Sequence, residues 1–348
     1  MGGKEMVKAV KLADIAEKLN VSVVTVSKAL SGQKGVSEEL REKIKDLADE
    51  MGYVPIHSNQ KNKNESYTIG VISLESYFAR FASFYWKMYQ ELATRAVKKN
   101  CFTMLEVINT HAEQTLEPPK LLEEERVDGV IIIGRPRQEY LKMLYRYKKF
   151  PMVFMDFYDD NEEVIDSVIS ASFNGAYTMT NYLFGLGHTR IAYVGTLMYT
   201  ESITDRYFGY CKALMEHHVP VREDWIVKDR DEENGIIGLE HKFVLPKEMP
   251  TAFVCNNDVS AYALIKALEE NGYRVPEDIS VVGYDNYLFP GLCDVAITTY
   301  EVDMKEMARR TVHTLIKKMA GEPYRQGICI VEGHRVTKDS VKARKNMG

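Results

Sequence analysis

Short apolar runs alternate with amphipathic stretches along most of this chain, and this alternation constrains its fold more than any other feature of the 348 residues. From residue 67 onward, roughly 10 to 20 residues of helical periodicity separate most of the runs. Strands that are apolar at nearly every position and are joined by helices indicate parallel sheets buried on both faces. The candidate strands are 68–73, 102–108, 127–134, 152–157, 190–195, 251–257 and 279–285.

These strands are too many for one compact sheet, so we predict an α/β core of two similar lobes. We place the first lobe at about 67–165 plus 298–326 and the second at about 166–297 plus 327–341, followed by a polar tail at 342–348. Open α/β sheets bind ligands beyond the carboxyl ends of their strands. The cleft between the lobes is therefore the predicted ligand site.

The segment VSVVTVSKAL, residues 21–30, has the β-branched side chains of a strand but lies between two helical patterns. The first pattern ends at Asn20, which tolerates a left-handed turn, and Ser22 is a good N-cap for a second helix. Val26 and Ala29 would form the buried face of that helix. A third helical pattern follows at 37–51, so we predict a helix-turn-helix, with a strand or a plain helical hairpin as the alternatives.

The second helix of such a motif enters the DNA major groove, which explains its stiff, short side chains. Valine methyl groups can contact thymine methyl groups, and Lys28 can reach a guanine or a phosphate. Residues 1–64 contain 11 Lys and Arg against 9 Asp and Glu, which gives a net charge of +2. Because the whole chain has a net charge of −5, the remaining residues have a net charge of −7. The sign is the one expected if the amino-terminal region alone meets an anionic partner.

This amino-terminal pattern resembles the headpiece of the LacI/GalR family of bacterial transcription regulators. The matching residues are Asp14-Ile15-Ala16, Val21-Ser22, Thr25-Val26-Ser27-Lys28-Ala29-Leu30, Val36-Ser37, Arg41, Ile44, Gly52-Tyr53 and Pro55. The resemblance implies a DNA-binding headpiece at 1–52 and a hinge at 53–66. It also implies base contacts from Val23, Val24 and Lys28, and phosphate contacts from Ser22, Thr25, Ser27 and Tyr53.

Two features depart from the family pattern. Lys11 stands where the family usually has a Thr cap. The hinge sequence IHSNQKNKNES, residues 56–66, has no Ala and no Leu, and Asn62 stands where the family places a Leu wedge in the minor groove. Because this Asn- and Lys-rich sequence is typical of a flexible linker, we expect Lys61 and Lys63 to contribute phosphate contacts instead of a wedge.

The rest of the chain also looks like the family, in the blocks at 185–195, 254–261, 279–286 and 334–341. The resemblance implies a periplasmic-binding-protein-like core that binds a small-molecule effector, and a homodimer on a near-palindromic operator. Arg206, Asp156, Asn257 and Asp285 stand on family effector positions, and Arg135 does so more loosely. From the aromatic stretch 77–86 we add Phe84 as a residue facing the ligand.

We expect the effector to be a sugar, because carboxylates and amides suit vicinal hydroxyls and an Arg can bridge two oxygens. A purine is the alternative, since it too would use stacking together with Asp and Arg. Two of the polar residues also have simple structural interpretations, as Asp258 can cap the helix that follows it and Asp285 can serve a turn.

Other classes of protein lack their sequence signals. No nucleotide, serine-hydrolase or zinc-protease motif is present, and Asp156 with Asp285 would be a weak basis for a glycosidase, so we predict no enzyme. The five cysteines lie far apart without a Cys/His cluster, so we expect neither a metal nor another cofactor. A transport receptor would carry an export signal. Without such a signal or a membrane span, we expect a cytoplasmic protein.

Overall fold

The computed structural model describes residues 12–30, 35–51, 66–78, 84–159, 165–231, 242–288 and 293–344. The chain divides into two compact units, residues 1–64 and residues 65–348. Within the described ranges, no helix combines the length and the apolar character needed to cross a membrane.

The first unit contains the three predicted helices, α1 (Leu12–Lys18), α2 (Val23–Leu30) and α3 (Glu38–Met51). Asn20 has a φ of 50° between α1 and α2, which is the left-handed conformation expected of this residue. The face of α2 predicted to be buried packs into a small core, where Ile15, Val26, Ala29 and Ile44 are inaccessible to solvent. The helix-turn-helix is confirmed, and the strand alternative for residues 21–30 is wrong.

The second unit alternates strands and helices. Its first half contains β1 (Tyr67–Leu74), α4 (Glu75–Phe78), α5 (Phe84–Val97), β2 (Cys101–Ile108), α6 (Thr110–Thr115), α7 (Lys120–Glu123), β3 (Gly129–Ile133), α8 (Gln138–Leu144), β4 (Met152–Met155) and β5 (Asp166–Ser170). Its second half contains α9 (Ser172–Gly185), β6 (Ile191–Val194), α10 (Glu201–Glu216), β7 (Ile226–Val227), β8 (Ala252–Cys255), α11 (Asp258–Glu270), β9 (Ser280–Asp285), β10 (Thr298–Glu301), α12 (Met304–Ala320), β11 (Ile328–Val331) and β12 (His334–Val336).

In the part of the chain that the structure describes, two six-stranded sheets form the two lobes. The first has the strand order β11-β5-β4-β3-β1-β2, and all of its neighbouring strands are parallel. The second has the order β12-β10-β9-β8-β6-β7, and among the described strands only the short β12 is antiparallel to its neighbour. The central strands β3, β4, β6 and β8 are buried at every position, as expected for sheets covered on both faces.

The crossings between the lobes differ from the predicted boundaries. β5 and β11 belong to the first sheet, and β10 belongs to the second, so the predicted ranges put each of these strands in the wrong lobe. The chain crosses after β5, after β10 and after β11. The predicted boundaries lie just before these three strands, whereas the chain crosses between the lobes just after each of them.

Contacts made by Asp166 explain why β5 stays in the first lobe. Its carboxylate accepts hydrogen bonds from Lys318 Nζ at 2.8 Å, from the Tyr324 hydroxyl at 3.0 Å and from the backbone N of Gly327 at 2.8 Å. These partners lie on α12 and on the segment that leads into β11. Asp166, the first residue of β5, is thus hydrogen-bonded to groups that follow it in the sequence by about 150 residues.

Candidate functional site

The exposed face of α2 is the candidate DNA-contact surface in the first unit. Val23 and Val24 are 45% and 62% exposed, although they are apolar, and Ser27 and Lys28 are exposed beside them. Because the fold does not bury these apolar side chains, they are available to contact a partner. Tyr53, Lys61 and Lys63, which are also predicted DNA contacts, lie outside the described residues.

Both ends of α2 are fixed by side chains. At its start the Ser22 Oγ accepts a hydrogen bond from the backbone N of Thr25 at 3.0 Å, and the two hydroxyls lie 2.8 Å apart. At its end Arg41 Nη1 donates to the carbonyl oxygen of Ala29 at 2.9 Å. A cation at the end of a helix also favours the helix dipole. Ser22 therefore caps the helix at Thr25, and Arg41, for which we had predicted no role, holds its other end.

A buried arginine of the second lobe, Arg206, lies close enough to the first lobe to interact with its Asp156. Arg206 on α10 is 5% exposed, and its guanidinium stacks 3.6 Å from the centroid of the Tyr284 ring. Its Nη1 donates to the carbonyl oxygen of Asn256, and its Nη2 lies 3.6 Å from Asp285 Oδ1. Its Nε has no acceptor among the described residues.

Two predicted carboxyls from different lobes face this arginine. Asp156 follows β4 in the first lobe, and Asp285 ends β9 in the second. Burial raises the pKa of Asp156 to about 6, although Arg206 and a hydrogen bond with Tyr85 act in the opposite direction. Burial also raises the pKa of Asp285 well above its usual range, against the attraction of Arg206. The cleft thus contains an incompletely satisfied donor between carboxyls that lack much of their normal hydration.

Arg135 occupies a different part of the cleft and is bound by protein groups. Its Nη1 forms an ion pair with Glu201 of the second lobe and donates to the carbonyl oxygen of Tyr158 at 3.1 Å. Its Nη2 donates to Gln138 Oε1 at 2.6 Å and to Asp159 Oδ1 at 3.1 Å. Arg135 therefore joins the two lobes, and its predicted contact with the effector stays a prediction.

The other two predicted effector residues also contact protein groups. Asn257 is the N-cap of α11, since its Oδ1 accepts from the backbone N of Ser260 at 2.7 Å. The cap is therefore Asn257 and not Asp258, whose carboxylate accepts from the backbone N of Tyr287 at 2.9 Å. Burial raises the pKa of Asp258 to about 7. Phe84 meets the ring of Tyr287 edge to face, at 6.2 Å between centroids, and this contact joins the two lobes.

A small cavity between the lobes contains residues that we had not predicted. Its polar lining consists of Asp156, Tyr158, Ser170, Ser172, Glu201, Ser202 and Asp205. Glu201 and Asp205 are four residues apart on α10 and therefore lie on the same face of the helix, which is the sequence signal that could have found them. Tyr85, which forms a hydrogen bond with Asp156, was also not predicted. It lies in the aromatic stretch 77–86, and nothing in the sequence distinguishes it from its aromatic neighbours. The described residues contain no group of His, Cys, Asp and Glu that could hold a metal ion.

A fully buried carboxylate supports the cleft from behind. Asp229 Oδ2 accepts hydrogen bonds from Asn256 Nδ2 and Ser260 Oγ, each at 2.7 Å, and from Arg230 Nη2 at 2.8 Å. Asn256 in turn supplies the carbonyl oxygen that receives Arg206. Asp229 and Asn256 therefore position the arginine without reaching the cavity themselves.

An amino-terminal helix-turn-helix followed by a two-lobed ligand-binding core defines a class of ligand-controlled DNA-binding regulators. Comparisons with known proteins agree. Residues 11–56 match the family described as bacterial regulatory proteins, lacI family, and residues 180–341 match the periplasmic binding protein-like domain. The repressor PurR of Escherichia coli O139:H28 (strain E24377A / ETEC) is 30% identical over 319 residues, which cover 89% of this chain and 91% of the relative. The chain therefore belongs to the lacI family and is a DNA-binding transcription regulator.

Solved structures show the same fold. A transcriptional regulator CelR–cellobiose complex matches 95% of this chain and 99% of its own, with a TM-score of 0.67 and 22% identity. A lac repressor dimer bound to operator and the anti-inducer ONPF matches 97% of this chain and 100% of its own, with a TM-score of 0.63 and 23% identity. The predicted family and the predicted fold class are confirmed.

Proposed function

We propose that this protein is a repressor whose homodimer binds a near-palindromic operator and whose DNA affinity changes when a sugar enters the cleft between the lobes. The observation that carries the proposal is the buried Arg206, which interacts with both Asp156 and Asp285 and whose Nε has no acceptor among the described residues. A ligand with adjacent hydroxyls can accept from the arginine and donate to both carboxyls.

For DNA recognition we assign base contacts to Val23, Val24 and Lys28, because these side chains form the exposed face of α2. We assign phosphate contacts to Ser22, Thr25 and Ser27, whose hydroxyls lie along the first turns of the same helix. The capping hydrogen bonds of Ser22 are compatible with this role, since a hydroxyl oxygen can accept one bond while its hydrogen is donated to a phosphate.

The dimer is supported by apolar side chains at one edge of the first lobe. β2 is an edge strand of its sheet, and its Phe102 and Met104 are exposed on the same face. Trp86 on the adjoining helix α5 is exposed as well. An exposed apolar edge strand is a surface that a second chain can cover.

The sugar is supported by the cellobiose bound to the solved CelR structure, which shares this fold. A purine, the alternative from the sequence, has no comparable support. We assign Asp156 and Asp285 to ligand binding and not to acid and base catalysis, because the relatives are transcription repressors. A cytoplasmic location follows from the same proposal, since the operator has to be accessible.

The effector site is tested by replacing Arg206 with Ala. An operator is first selected from random duplexes, and sugars are then screened by thermal shift on the full-length protein. A ligand that binds the folded state raises the melting temperature, so this shift should be lost in Arg206→Ala while operator binding persists. An unchanged thermal shift would show that the ligand does not use this arginine.

The DNA site is tested by replacing Lys28 with Ala. We expect specific operator binding to weaken by ~1–3 kcal/mol while binding to random duplex changes much less. Lys18, at the end of α1, offers a matched substitution outside the exposed face of α2. Equal losses on operator and on random DNA would identify Lys28 as a phosphate contact.

A further inference from the structure

The cavity between the lobes has an acidic lining. Asp156 reaches it from the first lobe, and Glu201 and Asp205 reach it from α10 of the second lobe. Three serine residues and Tyr158 complete its polar lining, and no described Lys or Arg lines it. Burial raises the pKa of Glu201 and of Asp205, as it does that of Asp156, so water solvates all three carboxyls poorly.

Among the described residues, Arg135 and Arg206 lie near this cavity, and both are paired with acidic groups. Arg135 is paired with Glu201 and Asp159, and its Nη1 and Nη2 also donate to two neutral oxygens, those of Tyr158 and Gln138. Arg206 is paired with Asp285 and interacts with Asp156. Asp205 forms no salt bridge within the described ranges, and its nearest donor is the Tyr158 hydroxyl at 3.4 Å. Among the described residues, the cleft therefore has more carboxylates than cations to pair with them.

The same cleft also contains a buried donor, the Nε of Arg206, that a ligand oxygen could satisfy. The Nε of Arg206 is buried and has no acceptor among the described residues, and a buried unsatisfied donor is costly unless a ligand oxygen reaches it. A fitting ligand thus carries an oxygen that accepts from Arg206 and a donor, preferably a positively charged one, for the carboxylates of α10.

Building on the proposed function, we propose that the effector is an amino sugar whose ammonium group binds at Asp205 and Glu201 and whose hydroxyl accepts from Arg206. A sugar phosphate or a sugar acid would instead add negative charge to a cavity that already has three carboxyls. The class of effector is therefore set by the charge of α10, while the hydroxyl contacts are common to all sugars.

The experiment is isothermal titration of the full-length protein with matched sugars. One set is glucose, glucosamine and glucose 6-phosphate, and a second is cellobiose and the disaccharide of glucosamine. We expect each amino member to bind about tenfold more tightly than its neutral counterpart, which corresponds to one additional partly buried charge pair, and the phosphate to bind worst. Asp205→Asn should remove this preference for the amino member.

The matched control is Asp294→Asn, which makes the same change at an exposed carboxylate that pairs with Lys266. It should leave the preference unchanged. If Asp205→Asn does not fold, as judged by circular dichroism, Glu201→Gln takes its place. Equal or tighter binding of the neutral or the phosphorylated sugar overturns the amino-sugar inference and leaves the sugar proposal standing. If no member binds although the protein still binds its operator, both fall.

Discussion

Replacement of Asp229 by Asn tests whether the support behind the cleft is as strong as its contacts indicate. The carboxylate is inaccessible to solvent and accepts five hydrogen bonds, two of them from Arg230. Burial opposes its ionisation, but Arg230 and the neutral donors hold the pKa of Asp229 well below its usual value. The native state therefore contains an ionised, fully hydrogen-bonded carboxylate.

The amide of Asn would remove the charge and turn a donor toward the donors of Asn256, Ser260 and Arg230. The Arg230 side chain is 11% exposed and would lose its buried counter-charge. Loss of one member of a buried ion pair costs about 3–5 kcal/mol, which should appear as a lower free energy of unfolding in urea. Because the pKa of Asp229 is lower in the native state than in the unfolded chain, its ionisation stabilises the native state at every pH above the ordinary pKa of Asp, and this effect is lost only in strong acid. The difference in free energy of unfolding between the parent and Asp229→Asn should therefore be constant from pH 5 to 8.

A double-mutant cycle tests whether the loss comes from this pair. Arg230→Met removes the buried cation, so Asp229→Asn combined with Arg230→Met should cost clearly less than the sum of the two single changes. Asp224→Asn is the control, because that carboxylate pairs with Arg222 at the surface, and its unfolding curve should barely change. Additive losses in the double variant, or a loss below about 1 kcal/mol for Asp229→Asn, would refute the reasoning.

Three further predictions concern packing, pH and the headpiece. Gly209→Ala should destabilise the core by about 3 kcal/mol in urea unfolding because its Cβ would overlap the Phe173 carbonyl oxygen, whereas Gly185→Ala, with open space around it, should be tolerated. The raised pKa of Asp258, about 7, means that the native state binds its proton more tightly than the unfolded chain. Its contribution to stability should therefore fall between about pH 4 and 7, and Asp258→Asn should flatten the pH dependence of unfolding by up to about 1.4 kcal/mol per pH unit. Arg41→Ala should weaken operator binding in a mobility-shift titration, since α2 loses a donor worth ~1 kcal/mol at its carbonyl end; unchanged affinity would show that α2 does not need this contact.

The sequence correctly predicts the strands that are buried because their own residues are apolar. β3, with the sequence GVIII, is apolar and buried throughout, and its pattern needs no information from elsewhere. β5, with the sequence DSVIS, contains three polar residues, and the partners of Asp166 lie on α12 and beyond. A polar strand can be buried when distant groups satisfy it, and that information is not local. The predicted lobe boundaries were wrong for this reason.

The same distinction applies to the cleft. Asp156, Asp285 and Arg206 could be predicted to converge, because two follow parallel strands and the third matches a family position. The partner of Arg135 could not be predicted, because Glu201 is 66 residues away on the other lobe. The capping role of Asn257 also depends on geometry, since Asn257 and Asp258 are equally plausible caps from their sequence alone.

Backbone conformation gives an independent reason to regard the cleft carboxyls as functional. Asp156 has a φ of 69° and Asp285 a φ of 102°, values that favour glycine, and both residues stand at the carboxyl ends of strands. At the end of β3, in the corresponding place, the chain has Gly134 with a φ of 73°. An L-residue in this region costs about 1 kcal/mol or more relative to glycine, and burial of both carboxyls adds to that cost. A chain that had only to turn at these points would use glycine, as it does after β3. We infer that the two aspartates remain because the ligand requires their side chains on either side of Arg206.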